Sequence, residues 1–447
     1  MGTGRREPIE GGRLLKEKPR RDVLLIATLD TKEEVVEYLR NRLLEKGKTV
    51  LLLDCSMAVG RSRLEPEITR EEIAQWGGAA FSAVATSDQF EGGRVMMEGI
   101  RRVVSALFAE RKFRAALGIG GSNGTLMATA GMQELPVGVP KVMISAMACG
   151  NTQFGPYVGT KDIIMIPSVA DILGINSITK PIFDNAVHAL VAMLDRKEEP
   201  FPPGQEQIAL SMLGQTTPAG MAGRALLEKE GYRVVAFHPN GVGGAAMEEW
   251  IARGAFVGVW ELTPHEVADE LLSRIHSAGP NRMTQAAEMG LPQVVVPGCV
   301  DFFYGSPGPP HELASRFRER QTYMINSQIM LVKITAGEAV RVARELANKM
   351  NRSRGPVTLV VPRKGISRYD RPQYPFYNPE VDRVLFEEMK KALSSRIRLV
   401  ELDLHISDPQ FGEACASILL EMIKPVDGPL EVYRGKRKRL WKNDLFR

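Results

Sequence analysis

The chain has 447 residues, 44% hydrophobic and 25% charged, the make-up of a globular protein long enough to build two cores. No apolar run reaches bilayer length and the polar, basic start lacks a leader-like hydrophobic stretch, so a cytoplasmic protein without a membrane segment is expected. The formal charge of +5 sits at the ends: seven Lys/Arg against three Glu in residues 1–21, and seven Lys/Arg against one Asp in residues 433–447, leave the body near −5. A chain of that distribution reads as a mildly acidic body with solvated basic tails, which argues against nucleic acid as the main partner. Cys55, Cys149, Cys299 and Cys415 lie far apart with no C-x-x-C spacing, against both a zinc ribbon and a disulfide framework.

In chain order, Asp22–Thr28 is a short apolar run suited to a strand buried on both faces. Asp30 or Thr31 can cap the helix that follows, on which Val35, Leu39 and Leu43 recur at helical spacing. Gly47 ends that helix and Thr49–Leu53 is a second strand, so the chain opens as a βαβ unit with a parallel sheet. Residues 55–93 read as an insertion with one helix, Glu71–Trp76, broken at Gly77-Gly78 and Gly92-Gly93; a helix from Arg94 to Glu110 then leads into a central strand. Pro140–Ala146 is another strand, and Ile182–Leu194 a closing helix. Residues 197–206, with three prolines, are the clearest linker. The second half repeats the alternation: strands at Gln207–Leu213, Arg233–Phe237, Phe256–Trp260, Gln293–Val296, Pro356–Val361 and Arg398–Leu402, with helices between them and a last helix at Pro409–Ile423. Pro297–Gly308 reads as an open loop. The expected architecture is α/β, two Rossmann-like open parallel-sheet domains: a disordered basic tail at 1–21, domains at 22–196 and 207–432, and a second tail at 433–447.

Ligands collect at the carboxyl ends of such strands. The stretch Gly118-Ile119-Gly120-Gly121-Ser122-Asn123-Gly124-Thr125 joins a strand to a helix, where glycines admit a ligand to the backbone and free N–H groups favour phosphate. No Lys-Ser/Thr pair closes it, so it is not a Walker A loop. Thr28, Asp30 and Thr31 would approach ribose or a metal-bound phosphate. Ser145 to Thr152, with Gly150 and Asn151, and Gly159, Thr160, Lys161 and Asp162 would form the opposite wall. Asp30 and Asp162 are the candidate Mg²⁺ ligands, through phosphate and water. In the second half His238, Glu261, Lys364 and His405 follow strand ends and are the candidate catalytic groups, with Glu248, Asp301 and Asp403 flanking similar positions. His238–Gly244 supplies a second Gly-rich strand–helix turn.

Taken together, Ala27–Lys32, Gly118–Thr125, Pro136–Gly150, Tyr157–Asp162, His238–Gly244, Val267–Glu270, Ser277–Pro280 and Asp403–Pro409 make the chain resemble one family over Asp22 to Pro425. It is the ATP-binding family typified by the tomato mosaic virus resistance protein. Asn123 and Trp260-Glu261 depart from the pattern expected of it. The resemblance implies ATP in the first domain and a homodimer. The expectation drawn from residues and resemblance is an ATP-binding protein acting on a small polar or anionic metabolite in a cleft between two domains, by phosphoryl or nucleotidyl transfer. A nucleotide-dependent binding module and a sugar-nucleotide enzyme are the alternatives.

Overall fold

The computed structural model describes residues 17–60, 62–149, 155–197, 204–305, 317, 319–326 and 329–423. Two compact units divide the chain, Met1–Glu199 and Pro200–Arg447.

In the first unit, five-residue apolar runs form β1 (Val23–Ala27), β2 (Val50–Asp54) and β4 (Lys141–Ser145), buried along their whole length. With β3 (Ala115–Gly120) and the edge strand β5 (Ile164–Pro167) they make a parallel sheet of order β2-β1-β3-β4-β5. Burial on both faces is what such unbroken runs require, and the helices supply it. Helix α1 (Leu29–Glu45) covers one face; on the other lie α2 (Arg70–Trp76), α3 (Phe81–Thr86), α4 (Gln89–Ala109) and α5 (Ser122–Met132). After the short turn α6 (Gly155–Val158), α7 (Thr179–Asp195) returns to pack beside α1, where Asp184 accepts from Tyr38 Oη at 2.7 Å and Arg42 Nε at 2.8 Å.

Two sequence expectations fail here. The 55–93 segment carries α2 and α3 plus the start of α4, not one helix. Asp88 caps α4, accepting from the N–H groups of Phe90 and Glu91 at 2.9 Å, so the helix starts before Gly92-Gly93 and runs through them. Residues 17–21, expected to lie in the basic tail, are also held by the unit, and residues 1–16 lie outside the described residues. Lys18 Nζ donates to the Glu67 carbonyl at 2.6 Å and pairs with Glu72 at 2.8 Å, tying residues 17–21 to the unit. Residues 433–447 lie outside the described residues.

The second unit holds a parallel sheet of order β7-β6-β8-β9-β13-β14: β6 (Gln207–Ser211), β7 (Arg233–Phe237), β8 (Gly258–Glu261), β9 (Gln293–Val295), β13 (Val357–Pro362) and β14 (Arg398–Leu402). As in the first unit, the first strand lies between the second and third. Helices α8 (Thr217–Lys229) and α14 (Pro409–Ile423) cover one face around the buried Trp260; α9 (Val242–Ala252) lies on the other. Helices α10 (His265–Leu272), α11 (Gln285–Met289), α12 (Ala336–Asn351) and α13 (Pro379–Ala392) complete the layer. Thr335 and Glu338 close a capping box on α12, and Asn378 with Pro379 starts α13. The loop expected at Pro297–Gly308 instead contains β10 (Phe302–Gly305), which joins β11 (Thr322–Asn326) and β12 (Ile329–Lys333) in a small antiparallel sheet. Among the described residues no helix is long and apolar enough to cross a membrane.

Candidate functional site

In the first unit the chain leaves β1 in one direction and β3 in the other, so a crevice opens between their carboxyl ends, the topological switch point of this strand order. Two helix N-termini enter it. That of α1 is already served: Asp54 Oδ1 accepts the Leu29 N–H at 3.2 Å, and Ser56 Oγ accepts the Asp30 N–H at 3.1 Å. That of α5 is not. Among the described residues no side chain caps it, and the Ser122, Asn123 and Gly124 N–H groups precede the first intrahelical bond, Thr125 N–H to Gly121 O at 2.8 Å. At Gly120 a Cβ would lie 2.7 Å from the Gly124 backbone, which explains that glycine by the tightness of the turn. At Gly121 a Cβ would meet no atom of the described residues within 4 Å. The turn therefore presents an open backbone seat with the polarity of a helix N-terminus.

Around this seat Thr28 lies 3.8 Å from the Gly124 Cβ position, and its hydroxyl is 3.3 Å from that of Thr31. Asp30 Oδ1 is buried without a hydrogen-bond partner. Thr125 Oγ1 and Ser145 Oγ share a hydrogen bond of 2.7 Å, and Ser145 Oγ also accepts the Met147 N–H at 2.9 Å. Beyond Ser145, over the ends of β4 and β5, lies a cavity of about 240 Å³.

Other first-unit candidates fall elsewhere. Gly118 is inside β3, where a Cβ would meet Met143 Sδ at 2.5 Å and Ala128 Cβ at 2.9 Å; it lets α5 lie close on the sheet and faces no ligand. Gly159, Thr160, Lys161 and Asp162 precede β5, at the amino edge of the sheet. Asp162 pairs there with Lys141, the first residue of β4, at 2.7 Å and accepts the Gly138 N–H at 2.8 Å. Burial raises its carboxyl, but Lys141 and that N–H outweigh it and hold the group below its ordinary value. Asp162 and Asp30 are thus separated by a strand length, roughly 13 Å, and cannot share one ion. Gly150 and Asn151 lie outside the described residues.

The second Gly-rich turn resembles the first in sequence and differs in occupancy. Glu266 Oε1, from α10, accepts the Gly241 N–H at 2.7 Å and the Gly244 N–H at 3.0 Å, so a carboxylate of the chain itself fills the seat before α9. The turn also follows β7, an edge strand, away from the β6/β8 switch point. Arg282, fully buried, binds that carboxylate through Nε at 2.6 Å, Glu261 through Nη1 and Nη2 at 2.6 and 2.7 Å, and Glu248 at 3.1 Å. Burial raises the Glu266 and Glu248 carboxyls against the pull of Arg282. Glu261 also accepts from Ser211 Oγ at 2.7 Å. Its catalytic assignment is corrected accordingly: it belongs to a closed buried network with no free oxygen facing a crevice.

His405 is 5% exposed, and both ring nitrogens are engaged. Nε2 donates to the Ser367 carbonyl at 3.0 Å, while Nδ1 accepts from Ser407 N–H at 3.0 Å and Arg371 Nη2 at 2.6 Å. Burial, then the Arg371 charge, lower its pKa, and the ring is held by partners of the chain itself. Lys364 is exposed and pairs with Asp403 at 2.9 Å. His238 is exposed at the end of β7. At the β6/β8 switch point itself, the Thr216 and Thr263 hydroxyls bond at 3.0 Å and Thr263 N–H donates to Ser211 Oγ at 3.1 Å, stitching the two loops together. Sequence reasoning missed Glu266, Arg282, Thr216 and Thr263. Two of the stretches carrying the family resemblance, Val267–Glu270 and Ser277–Pro280, adjoin Glu266 and Arg282, and that adjacency was the available signal.

Residues 21–199 match the model of the uncharacterised protein family UPF0261 N-terminal domain, and residues 205–423 match that of its C-terminal domain. The chain belongs to the UPF0261 family. A UPF0261 protein of Clostridium tetani (strain Massachusetts / E88) is 35% identical over 404 residues, covering 90% of this chain and 99% of the relative. One of Mesorhizobium japonicum is 33% identical over 89% of this chain and 98% of its own. The tomato (Solanum lycopersicum) ToMV resistance protein Tm-1(GCR237) is 33% identical over 353 residues, 77% of this chain; the match spans 46% of that longer protein. Among solved structures, a thioesterase domain from the curacin biosynthetic pathway overlaps 50% of this chain and 92% of its own at 11% identity and a TM-score of 0.24, too distant to inform a UPF0261 site.

Proposed function

We propose that the first unit is an ATP-binding unit whose nucleotide phosphates rest on the N-terminus of α5, at Gly120 to Thr125. The observation that carries this reading is the contrast between three helix N-termini: α1 is capped by Asp54 and Ser56, α9 is filled by Glu266, and α5 has no capping side chain among the described residues. Thr28 and Thr31 lie within reach of the same seat. Mg²⁺ would arrive with the phosphates, since among the described residues no group of three or more His, Cys, Asp or Glu could hold a metal. Asp30 suits the outer side of such an ion, its buried Oδ1 having no other partner.

In its enzymatic form, the reading is phosphoryl or nucleotidyl transfer to a small polar or anionic metabolite in the cytoplasm. A second reading, a nucleotide-dependent binding module, is favoured by one observation: Glu261, His405 and Lys364 each already have partners in the second unit. The homodimer implied by the resemblance would find a surface on the edge strand β11, where Tyr323, Met324 and Ile325 are exposed. The test is a thermal-shift screen of nucleotides with Mg²⁺, followed by turnover assays with metabolite pools. ATP stabilisation with metabolite-dependent turnover supports the enzyme, and stabilisation without turnover supports the module. No response to any nucleotide would refute the proposal.

A further inference from the structure

The cavity beside the phosphate seat has a chemistry of its own. Its floor is Ser145, the residue that hydrogen-bonds Thr125 in the first turn of α5, so the two features are joined by one contact of 2.7 Å. Its far wall is the turn after β5. There Ser168 Oγ donates to the Ala170 carbonyl at 2.6 Å, and Val169 between them holds φ at 63°. A β-branched residue in the left-handed region is strained, and strain of that kind persists where surrounding structure fixes a loop for use. The turn leaves Val169 78% exposed beside Pro167, an apolar lip, and places the exposed Asp171 at the same opening. The volume of about 240 Å³ is many times the roughly 10–15 Å³ that one water needs by the same measure, which leaves room for a sugar ring beside the lip.

We propose that this cavity is a ribonucleoside subsite, in which Asp171 accepts hydrogen bonds from the ribose hydroxyls and Pro167 and Val169 pack against the base. The assignment rests on the phosphate-seat reading of α5. It fixes the direction in which the ligand lies: from Gly121 across Ser145 toward β5, and not across β1 toward Asp54 and Ser56. Asp171 Oδ1 accepts the Ile172 N–H at 2.7 Å, which holds the carboxylate at the opening, and its remaining lone pairs can accept the two O–H donors of a ribose. A 2′-deoxyribose would forfeit one of them.

The chain carries a reporter for this. Cys149 lines the cavity and is exposed, whereas Cys55, Cys299 and Cys415 are buried, so a thiol reagent such as N-ethylmaleimide should mark Cys149 first. In the full-length protein, alkylation of Cys149 is followed by peptide mass spectrometry with ATP or with inorganic tripolyphosphate, each at about ten times its Kd. ATP is expected to slow alkylation about tenfold, the fraction of open sites at that concentration. Tripolyphosphate, which has no nucleoside, should displace ATP and yet leave Cys149 reactive. Asp171→Ala should weaken ATP roughly tenfold, remove the preference for ATP over 2′-deoxy-ATP, and leave tripolyphosphate affinity unchanged. If ATP binds and tripolyphosphate displaces it, but Cys149 reacts at the same rate and Asp171→Ala keeps the preference, the subsite is refuted while the phosphate seat stands. If tripolyphosphate fails to displace ATP, the seat itself is wrong and the subsite falls with it.

Discussion

Replacing Gly121 by valine separates the ligand's needs from those of the fold. Among the described residues a Cβ at this position meets no atom within 4 Å, and the backbone φ of −76° is open to any residue. Losing glycine at an N-cap costs up to about 1 kcal/mol, and the stiffer unfolded chain returns about 0.4–1 kcal/mol, so stability should hardly move. A phosphate on the Ser122, Asn123 and Gly124 N–H groups would feel the new side chain directly. Losing two hydrogen bonds to a charged group, at about 1.5–3 kcal/mol each, amounts to about 3–6 kcal/mol, or roughly two to four powers of ten in Kd. Gly120→Ala is the contrasting variant. Its Cβ would lie 2.7 Å from Gly124 backbone atoms that cannot yield, and overpacking of this kind costs about 1–3 kcal/mol of fold stability. Isothermal titration with ATP, paired with urea denaturation, measures both quantities. A Gly121→Val protein that is folded and binds ATP as the parent does would remove this turn from the site and refute the reasoning.

Arg282→Met should lower the stability of the second unit by about 3–5 kcal/mol or prevent its folding, because three buried carboxylates lose their common cation. Changing Glu248, Glu261 and Glu266 to Gln in the same protein should recover most of the loss in urea melts, and a single variant of parental stability would show the network to be inert. Asp382 gives a pH signature. Burial first, then the Asp370 carboxylate, push its carboxyl up to about 9, against the pull of Lys333. A folded pKa above the ordinary 3.8 means that its stabilising contribution is complete below about pH 4 and is lost as pH climbs toward about 9. Asp382→Asn cannot ionise, so its urea midpoint should vary less with pH over that range than the parent's; equal slopes would count against a buried protonated carboxyl.

The parallel sheets were legible because their strands are buried on both faces and therefore appear as unbroken apolar runs, as in Val23–Ala27 and Val357–Val361. The antiparallel sheet was not legible. Strand β11 is exposed along Tyr323–Asn326 and so carries no alternation of apolar and polar residues. Gly92-Gly93 suggested a break because glycine is a poor helix former, yet a Cβ at Gly92 would lie 2.7 Å from Ser87 Oγ and 3.2 Å from the Val84 carbonyl, so the close packing of α4 favours glycine there. Among candidate site residues, proximity to a strand end in sequence does bring Thr28, Gly121 and Ser145 to one end of the sheet. It misled at Asp162, since by then the chain had come back from the end of β4, past α6, to the amino edge of the sheet. It was blind to Glu266 and Arg282, whose meaning depends on partners 16 to 34 positions away. Whether a glycine turn is open or filled depends on such partners, and two similar turns proved opposite in that respect.

The strand order also bears on how the first unit comes into being during synthesis. Strand β1 is internal, and its second neighbour, β3, pairs with it from Val23↔Ala115, so one flank of a wholly apolar strand stays unpaired while the intervening chain is made. At about 5–20 residues per second that interval is roughly 5–20 s, long beside the microseconds of a collapsing chain. The open turn at Gly121 leaves the ribosome immediately after β3, so the seat cannot form before the sheet that supports it. A nascent chain halted before residue 115 would expose the β1 edge with nothing to cover it, a species for chaperones to hold and one prone to pairing with its own kind.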